Sequence, residues 1–283
     1  MKRLTLRRRS PDLRPVPVPH FIDDHVVRIG ATQFHYSFPP VDVPEGYLAI
    51  AKGRTLLEAY FALWSELRPQ RVVELGMHQG GSAAMMCELG GLERIVTVEL
   101  STARAKALDG YVEKHGLHDV LRPYYGVDQA DRKRLASIVD EEFSGAPLDL
   151  VIDDASHLYP ESRVSFEMLF PRLRPGGLFL LEDWRWQHTM AARMTCALEA
   201  SDDFRAKLQR AVVAEGRTAP DTPMSRLAIE LVIALAVSEH VVADVAIGPD
   251  WAAVRRGPAQ LDPRSFRVDD VAPDHLSLLA PIR

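Results

Sequence analysis

A chain of 283 residues can bury one sizeable core, and its formal net charge of −5 gives no broad attraction to nucleic acid. Its 47% hydrophobic and 26% charged residues are ordinary for a globular protein, which leaves small-molecule chemistry as the starting expectation. Cys87 and Cys196 lack the paired spacings of disulfide frameworks or zinc sites, so a reducing, cytoplasmic setting is expected.

The basic start, Lys2, Arg3, Arg7, Arg8 and Arg9, runs into Pro15, Pro17 and Pro19 rather than an apolar core, so no secretory signal is expected. Residues 1–45 show no sustained periodicity and are expected to form an arm on the body or on a neighbouring subunit, with 46–283 as the main domain. From Gly46 to Leu67, Leu48, Ile50, Leu56, Leu57, Tyr60, Phe61 and Trp64 recur at helical spacing, ending before Pro69. One amphipathic helix is the reading there.

Strand-like runs then alternate with helical ones: Arg71 to Leu75, Arg94 to Glu99, Val120 to Tyr125, Leu148 to Asp153 and Gly177 to Glu182. Right-handed crossovers between them build a parallel sheet, and the nearly unbroken apolar runs fit strands covered on both faces. Residues 184–225 read as a helical insertion, and Arg226 to His240 as a strong helix. Its apolar stretch Leu227 to Val237, interrupted by Glu230, falls short of the roughly 20 residues that cross a bilayer. Val241 to Ile247 and Trp251 to Arg255 flank Gly248, Pro249 and Asp250 as an antiparallel hairpin. The expected fold is α/β: a Rossmann-like, seven-stranded, mostly parallel sheet with a terminal antiparallel hairpin and helices on both faces.

Between the first of these strands and its helix stand Glu74, Leu75, Gly76, Met77, His78, Gln79, Gly80, Gly81 and Ser82. Glycines there let the backbone turn tightly and approach a ligand at the carboxyl edge of the sheet, beside the point where strand order reverses. Glu74, Gly76, Gly80 and Ser82 are candidate cofactor contacts, and Glu99, closing the next strand, is placed to accept both hydroxyls of a ribose. Asp128 either receives an adenine amino group or caps the helix that starts near Ala130.

Acids also close the fourth and fifth strands: Asp153 and Asp154 in one, Glu182 and Asp183 in the other. Neighbouring parallel strands lie about 4.8 Å apart, and two like charges about 4 Å apart repel by roughly 4 kcal/mol at an effective dielectric near 20. Such carboxylates ask for a cation, and all-oxygen ligation favours magnesium or another hard divalent ion over zinc.

With these residues in view, the sequence resembles the metal-dependent sugar O-methyltransferases of macrolide antibiotic biosynthesis and the related cephalosporin hydroxylase-like group. The resemblance rests on Val73 to Ser82, on Ile152 to His157, on Ser165, Phe166, Leu169, Phe170 and Pro171, and on Arg174 to Gly177 leading to Leu181, Glu182 and Asp183. It implies a class I, S-adenosylmethionine-dependent enzyme methylating a hydroxyl of a natural product, a sugar or polyketide-type acceptor. It further implies that Asp154, Glu182 and Asp183 hold the metal, that His157 is the general base beside Asp154, and that Glu99 binds the cofactor ribose. Ala155 stands where the family usually has glycine, and Trp184 to His188 replaces a Thr- and Tyr-rich continuation.

A ligated hydroxyl loses its proton near neutral pH, and a neutral imidazole can take it; His188 is the rival to His157 for that role. Trp184, Trp186 and the insertion are expected to close as a lid over a bulky, ring-bearing acceptor. A nicotinamide-dependent oxidoreductase is opposed by His78, where a dinucleotide fingerprint needs glycine, and by the terminal hairpin. A non-haem iron hydroxylase wants two histidines and one carboxylate, a different mixture from this acid-rich one. A cofactor-binding protein without turnover is the third alternative. The expected partner is a small hydroxylated acceptor, with no nucleic acid or membrane, and the expected assembly is a homo-oligomer.

Overall fold

The computed structural model describes residues 15–37, 43, 47–189 and 222–272. They fall into two compact units, Met1–Ala155 and Ser156–Arg283.

The first unit opens with a small sheet: β1 (His20–Phe21), β2 (Val26–Ile29) and β3 (Thr32–Tyr36) run antiparallel, and β4 (Leu48–Ile50) lies parallel to β3. Val27, Ile29, Phe34, Tyr36, Leu48 and Ile50 all turn the same way and are buried, the period-2 pattern of a half-covered sheet. Residues 20–36 and 48–50 thus share one sheet, where the sequence alone showed an aperiodic arm and the first turns of a helix. The helix, α1 (Arg54–Leu67), begins only after Gly53. Leu48 and Ile50 fit a helical spacing as well as a strand alternation, and ladder bonds to Phe34 and Tyr36 decide between them. α1 buries Leu57, Tyr60, Phe61, Trp64 and Leu67 and stops at Arg68, a left-handed residue ahead of Pro69.

Four parallel strands follow with their crossover helices: β5 (Arg71–Leu75), α2 (Gly81–Leu89), β6 (Arg94–Glu99), α3 (Lys106–His115), β7 (Leu121–Tyr125), α4 (Arg132–Phe143) and β8 (Leu148–Asp153). Their order is β8-β5-β6-β7. The chain moves outward from β5 through β6 to β7, then returns to β5's other side, so strand order reverses at β5. Ligands of open α/β sheets settle in the crevice outside the carboxyl ends of strands at such a point.

The second unit holds α5 (Tyr159–Leu169), β9 (Leu173–Glu182), α6 (Ser225–Val237), β10 (Val242–Ile247) and β11 (Trp251–Arg256). β10 and β11 form the expected terminal hairpin, and β11 runs antiparallel to β9 with Trp251 opposite Glu182 and Arg255 opposite Leu178. Phe166, Phe170 and Phe179 pack ring on ring, with Phe166 centroids 4.5 Å from Phe170 and 5.0 Å from Phe179. The fold is α/β and Rossmann-like, its seven main strands being four in the first unit and three in the second. Most of the expected helical insertion, residues 190–221, lies outside the described residues.

Gly81 opens α2 with its Cα against β4: a Cβ there would collide with the Ala49 carbonyl group and stand 3.1 Å from Ile50 Cγ1. Alanine would gain at most about 1 kcal/mol of helix propensity, while displacing a packed strand costs about 1 to 3 kcal/mol. Gly81→Ala is therefore expected to lower stability in denaturant titration. Equal or greater stability would mean that β4 does not press on α2.

Candidate cofactor and metal site

At the carboxyl end of β5 the chain turns through Gly76 (φ 82°), His78 (φ 50°) and Gly80 (φ 79°) before entering α2. The turn is closed by the Gly80 amide donating to the Met77 carbonyl at 2.7 Å, and Gly76 is tied to β6 through the Val98 carbonyl at 2.9 Å. A Cβ on Gly76 would collide with the Asp154 carbonyl oxygen and stand 2.7 Å from the Ala155 Cα. Glycine at 76 is what lets the loops after β5 and β8 touch.

Glu99 ends β6 with both carboxylate oxygens engaged by backbone: Oε2 accepts from the His78 amide and Oε1 from the Ser101 amide, each at 2.9 Å. Each oxygen keeps a second lone pair, so the group remains able to accept two hydroxyls from one direction. The turn that needs a positive φ at His78 is thus the same turn that orients Glu99.

Glu74 is different. It is fully buried in β5, where Thr97 Oγ1 donates to its Oε2 at 3.0 Å, Ser82 lends a further hydrogen bond, and the charge of Lys52 acts on it. Burial dominates and pushes its carboxyl up to about 7. Glu74 and Ser82 therefore brace the loop from beneath, Gly80 is buried against Leu108, and Gly76 and Glu99 are partly exposed.

After β7, Asp128 Oδ1 accepts from the Ala130 amide at 2.8 Å, and α4 is capped by Asp131, which accepts from the Arg134 amide at 2.9 Å. Asp128 thus shapes the turn ahead of the helix. At the end of β8, Asp153 is buried with the Gln129 amide on its two oxygens at 3.1 and 3.2 Å. Asp154 meets the buried Lys52 ammonium at 2.7 Å through Oδ2. Lys52 and Gln129 were not singled out in the sequence: each lies outside the motif it serves, and only the folded chain brings it there.

In the second unit His157 and Asp183 are both left-handed, with φ of 55° and 50°. His157 Nε2 stands 3.8 Å from Asp183 Oδ2. Two ligands about 2.1 Å from one magnesium ion are about 3 to 4 Å apart, so this pair is spaced either to share a cation or to set a base beside its ligand. Magnesium's preference for oxygen favours the second arrangement. Glu182 is buried at the end of β9, and the Asp183 amide donates to the Asp250 carbonyl at 3.0 Å. Trp184 Nε1 donates to the Gly248 carbonyl at 2.9 Å, Trp186 lies 5.7 Å from the His157 ring, and His188 pairs with Ser225 Oγ at 2.7 Å. Of the two candidate bases, His157 is the one beside a carboxylate among the described residues.

Residues 73–184 match a family model described as a methyltransferase domain. Over that stretch the chain is similar to methyltransferase domains of the class I, S-adenosylmethionine-dependent type. Its curated relatives include several O-methyltransferases of Streptomyces. It is 39% identical over 85 residues to demethylmacrocin O-methyltransferase of Streptomyces fradiae, covering 25% of this chain and 21% of that one. It is 34% identical over 129 residues to a rhamnosyl-tetracenomycin C 3′-O-methyltransferase of Streptomyces olivaceus, covering 45% of this chain and 31% of that one. The matched segments thus span about a fifth to a third of these relatives. The structure of the MycE methyltransferase from the mycinamycin pathway, in complex with Mg, SAH and mycinamycin VI, aligns over 71% of this chain and 49% of its own. With a TM-score of 0.50 and 22% identity, that likeness is one of fold.

Glu74 supplies a pH test. Its folded value near 7 stands above the ordinary 4.5, so the folded chain holds this proton more tightly than the unfolded chain does. Its favourable contribution is complete below about pH 4.5 and is lost as pH rises to about 7, a change on the order of 3 kcal/mol. Glu74→Gln has no such proton to lose, so thermal melts from pH 4 to 8 should show the variant gaining on the wild type as pH rises. Parallel pH profiles would place Glu74 in a solvated setting instead.

Proposed function

We propose that this protein is an S-adenosylmethionine-dependent O-methyltransferase that uses a divalent cation, magnesium by chemistry, to methylate a hydroxyl of a sugar- or polyketide-type natural product. The observation that carries the reading is the Glu99 carboxylate, fixed by the His78 and Ser101 amides at the edge where strand order reverses. A dinucleotide would need bare backbone at position 78, and an exposed imidazole stands there in a glycine-like conformation. That geometry disfavours the nicotinamide reading, and the methyltransferase likenesses disfavour iron hydroxylation as well.

In this proposal Glu99 takes the ribose hydroxyls of the cofactor, Gly76 and Gly80 admit its chain, and Asp128 lies at the adenine end. Asp154, Glu182 and Asp183 are the proposed metal ligands, carried over from the resemblance. Carboxylate oxygens are the donors that a hard cation prefers. When bound, such an ion would supply positive charge that favours loss of the acceptor hydroxyl's proton. His157 Nε2 then receives the acceptor's proton, and Asp183 at 3.8 Å stabilises the resulting imidazolium. The hydroxyl oxygen gains the methyl group while the carbon–sulfur electron pair stays on sulfur, leaving S-adenosylhomocysteine and a methyl ether. The Trp186 indole beside His157 offers a flat apolar wall for a ring-bearing acceptor.

Among the described residues no helix is long and apolar enough to cross a membrane. A cytoplasmic homo-oligomer acting on a small acceptor completes the proposal, with subunit number to be measured by sedimentation.

Calorimetry with S-adenosylhomocysteine tests the cofactor half: Glu99→Ala should weaken binding by about 1.5 to 3 kcal/mol, the cost of a lost charged acceptor. Undiminished affinity would remove Glu99 from the site. For the metal half, methyl transfer from labelled S-adenosylmethionine to glycosylated polyketides should stop in chelator and return with magnesium, and Asp183→Asn should need more of it. Full turnover in chelator would overturn metal assistance.

A further inference from the structure

Resting on that reading, we infer that Gln187 is a positioning residue for His157. It has no counterpart in the resemblance to the macrolide enzymes, since Trp184 to His188 is where this chain departs from that pattern. Its amide works in two directions: Nε2 donates to the His157 carbonyl, and Oε1 accepts from the Met224 amide at 3.3 Å. Met224 is buried immediately before α6, and the next residue, Ser225, is the partner of His188 at 2.7 Å.

Gln187 also belongs to the turn that carries Asp183. The Trp186 amide donates to the Asp183 carbonyl at 2.7 Å, the Asp183 amide is fixed on Asp250, and Thr189 Oγ1 closes onto the Trp186 carbonyl at 2.9 Å. One side-chain amide therefore joins the backbone of the proposed base to the segment bearing the carboxylate beside it. His157 also needs an external hold, because its left-handed φ of 55° costs a non-glycine residue free energy that surrounding contacts must offset. Trp186 packs on its ring and Gln187 bonds its carbonyl; together they set the 3.8 Å between His157 Nε2 and Asp183 Oδ2.

The two directions of the amide separate positioning from general packing. In Gln187→Glu the carboxylate still accepts from Met224 but no longer donates to His157; in Gln187→Met both bonds are gone. If Gln187 positions the base, both variants should lose about 10- to 100-fold in kcat for methyl transfer, with unchanged KM for S-adenosylmethionine and unchanged S-adenosylhomocysteine affinity, because small displacements of reacting groups act on the chemical step. A structural role alone predicts that Gln187→Glu keeps wild-type kcat, or that both variants lose thermal stability and cofactor affinity together; either result overturns the inference.

Amide hydrogen exchange gives a readout without turnover. Met224 N–H should stay protected in Gln187→Glu and exchange faster in Gln187→Met, while the segment after His157 should exchange faster in both. Wild-type exchange after His157 in both variants would show that the amide does not hold the base. Absence of methyl transfer by the wild type would count against the proposed function, while the exchange measurement would still decide whether the amide holds His157.

Discussion

At the carboxyl edge of the first unit the backbones after β5 and β8 press together so closely that only a glycine at 76 leaves room. The contact follows from the parallel pairing of β5 with β8, which sets Leu75 opposite Asp153, and from the Asp154 amide donating to the Leu75 carbonyl at 3.0 Å. It forces the next residues upward into a tight turn, which presents the His78 amide to Glu99. One steric constraint thereby orients the carboxylate proposed for the ribose and fixes the backbone of the acid proposed for the metal.

Beneath that turn lies a second constraint, electrostatic rather than steric. Lys52, Glu74 and Asp154 gather in a largely buried place, one ammonium against two acids. A buried charge without a partner costs several kcal/mol, so the ammonium sits against Asp154 and Glu74 keeps its proton to unusually high pH. Lys52 follows the small β1–β4 sheet directly, so that sheet contributes to the site through one residue at its end.

The parallel strands were legible because covered strands must be apolar nearly throughout, as in Leu148, Leu150, Val151 and Ile152, and the terminal hairpin because Gly248, Pro249 and Asp250 interrupt two alternating runs. The small sheet was not. Its strands are two to five residues long, and the alternation of Val27, Ile29, Phe34 and Tyr36 is too brief to rise above the surrounding polar and proline-rich chain. In the candidate site, the turn itself was legible from Gly76 and Gly80, because a tight turn at a strand end demands glycine, and Glu99 was legible as the acid that closes the next strand. Lys52 and Gln129 act across 102 and 24 residues of chain, and no local pattern marks either one.

His157 and Asp183 show how the second unit accommodates a local sequence that departs from the pattern it resembles. Both adopt a conformation that glycine takes without cost, yet a glycine at either position would carry no imidazole and no carboxylate. Histidine and aspartate are among the side chains that tolerate this region best, so the penalty is modest and needs only local bonds to offset it. For Asp183 the Asp250 carbonyl and the Trp186 amide provide them; for His157 the Gln187 amide does. The replacement of a Thr- and Tyr-rich continuation by Trp184 to His188 therefore brings its own supports: one indole anchored on Gly248, one packed on the imidazole, and an amide and a second imidazole reaching Met224 and Ser225. A segment so tied can vary its outward surface while His157, the proposed base, and the Asp183 carboxylate keep their separation.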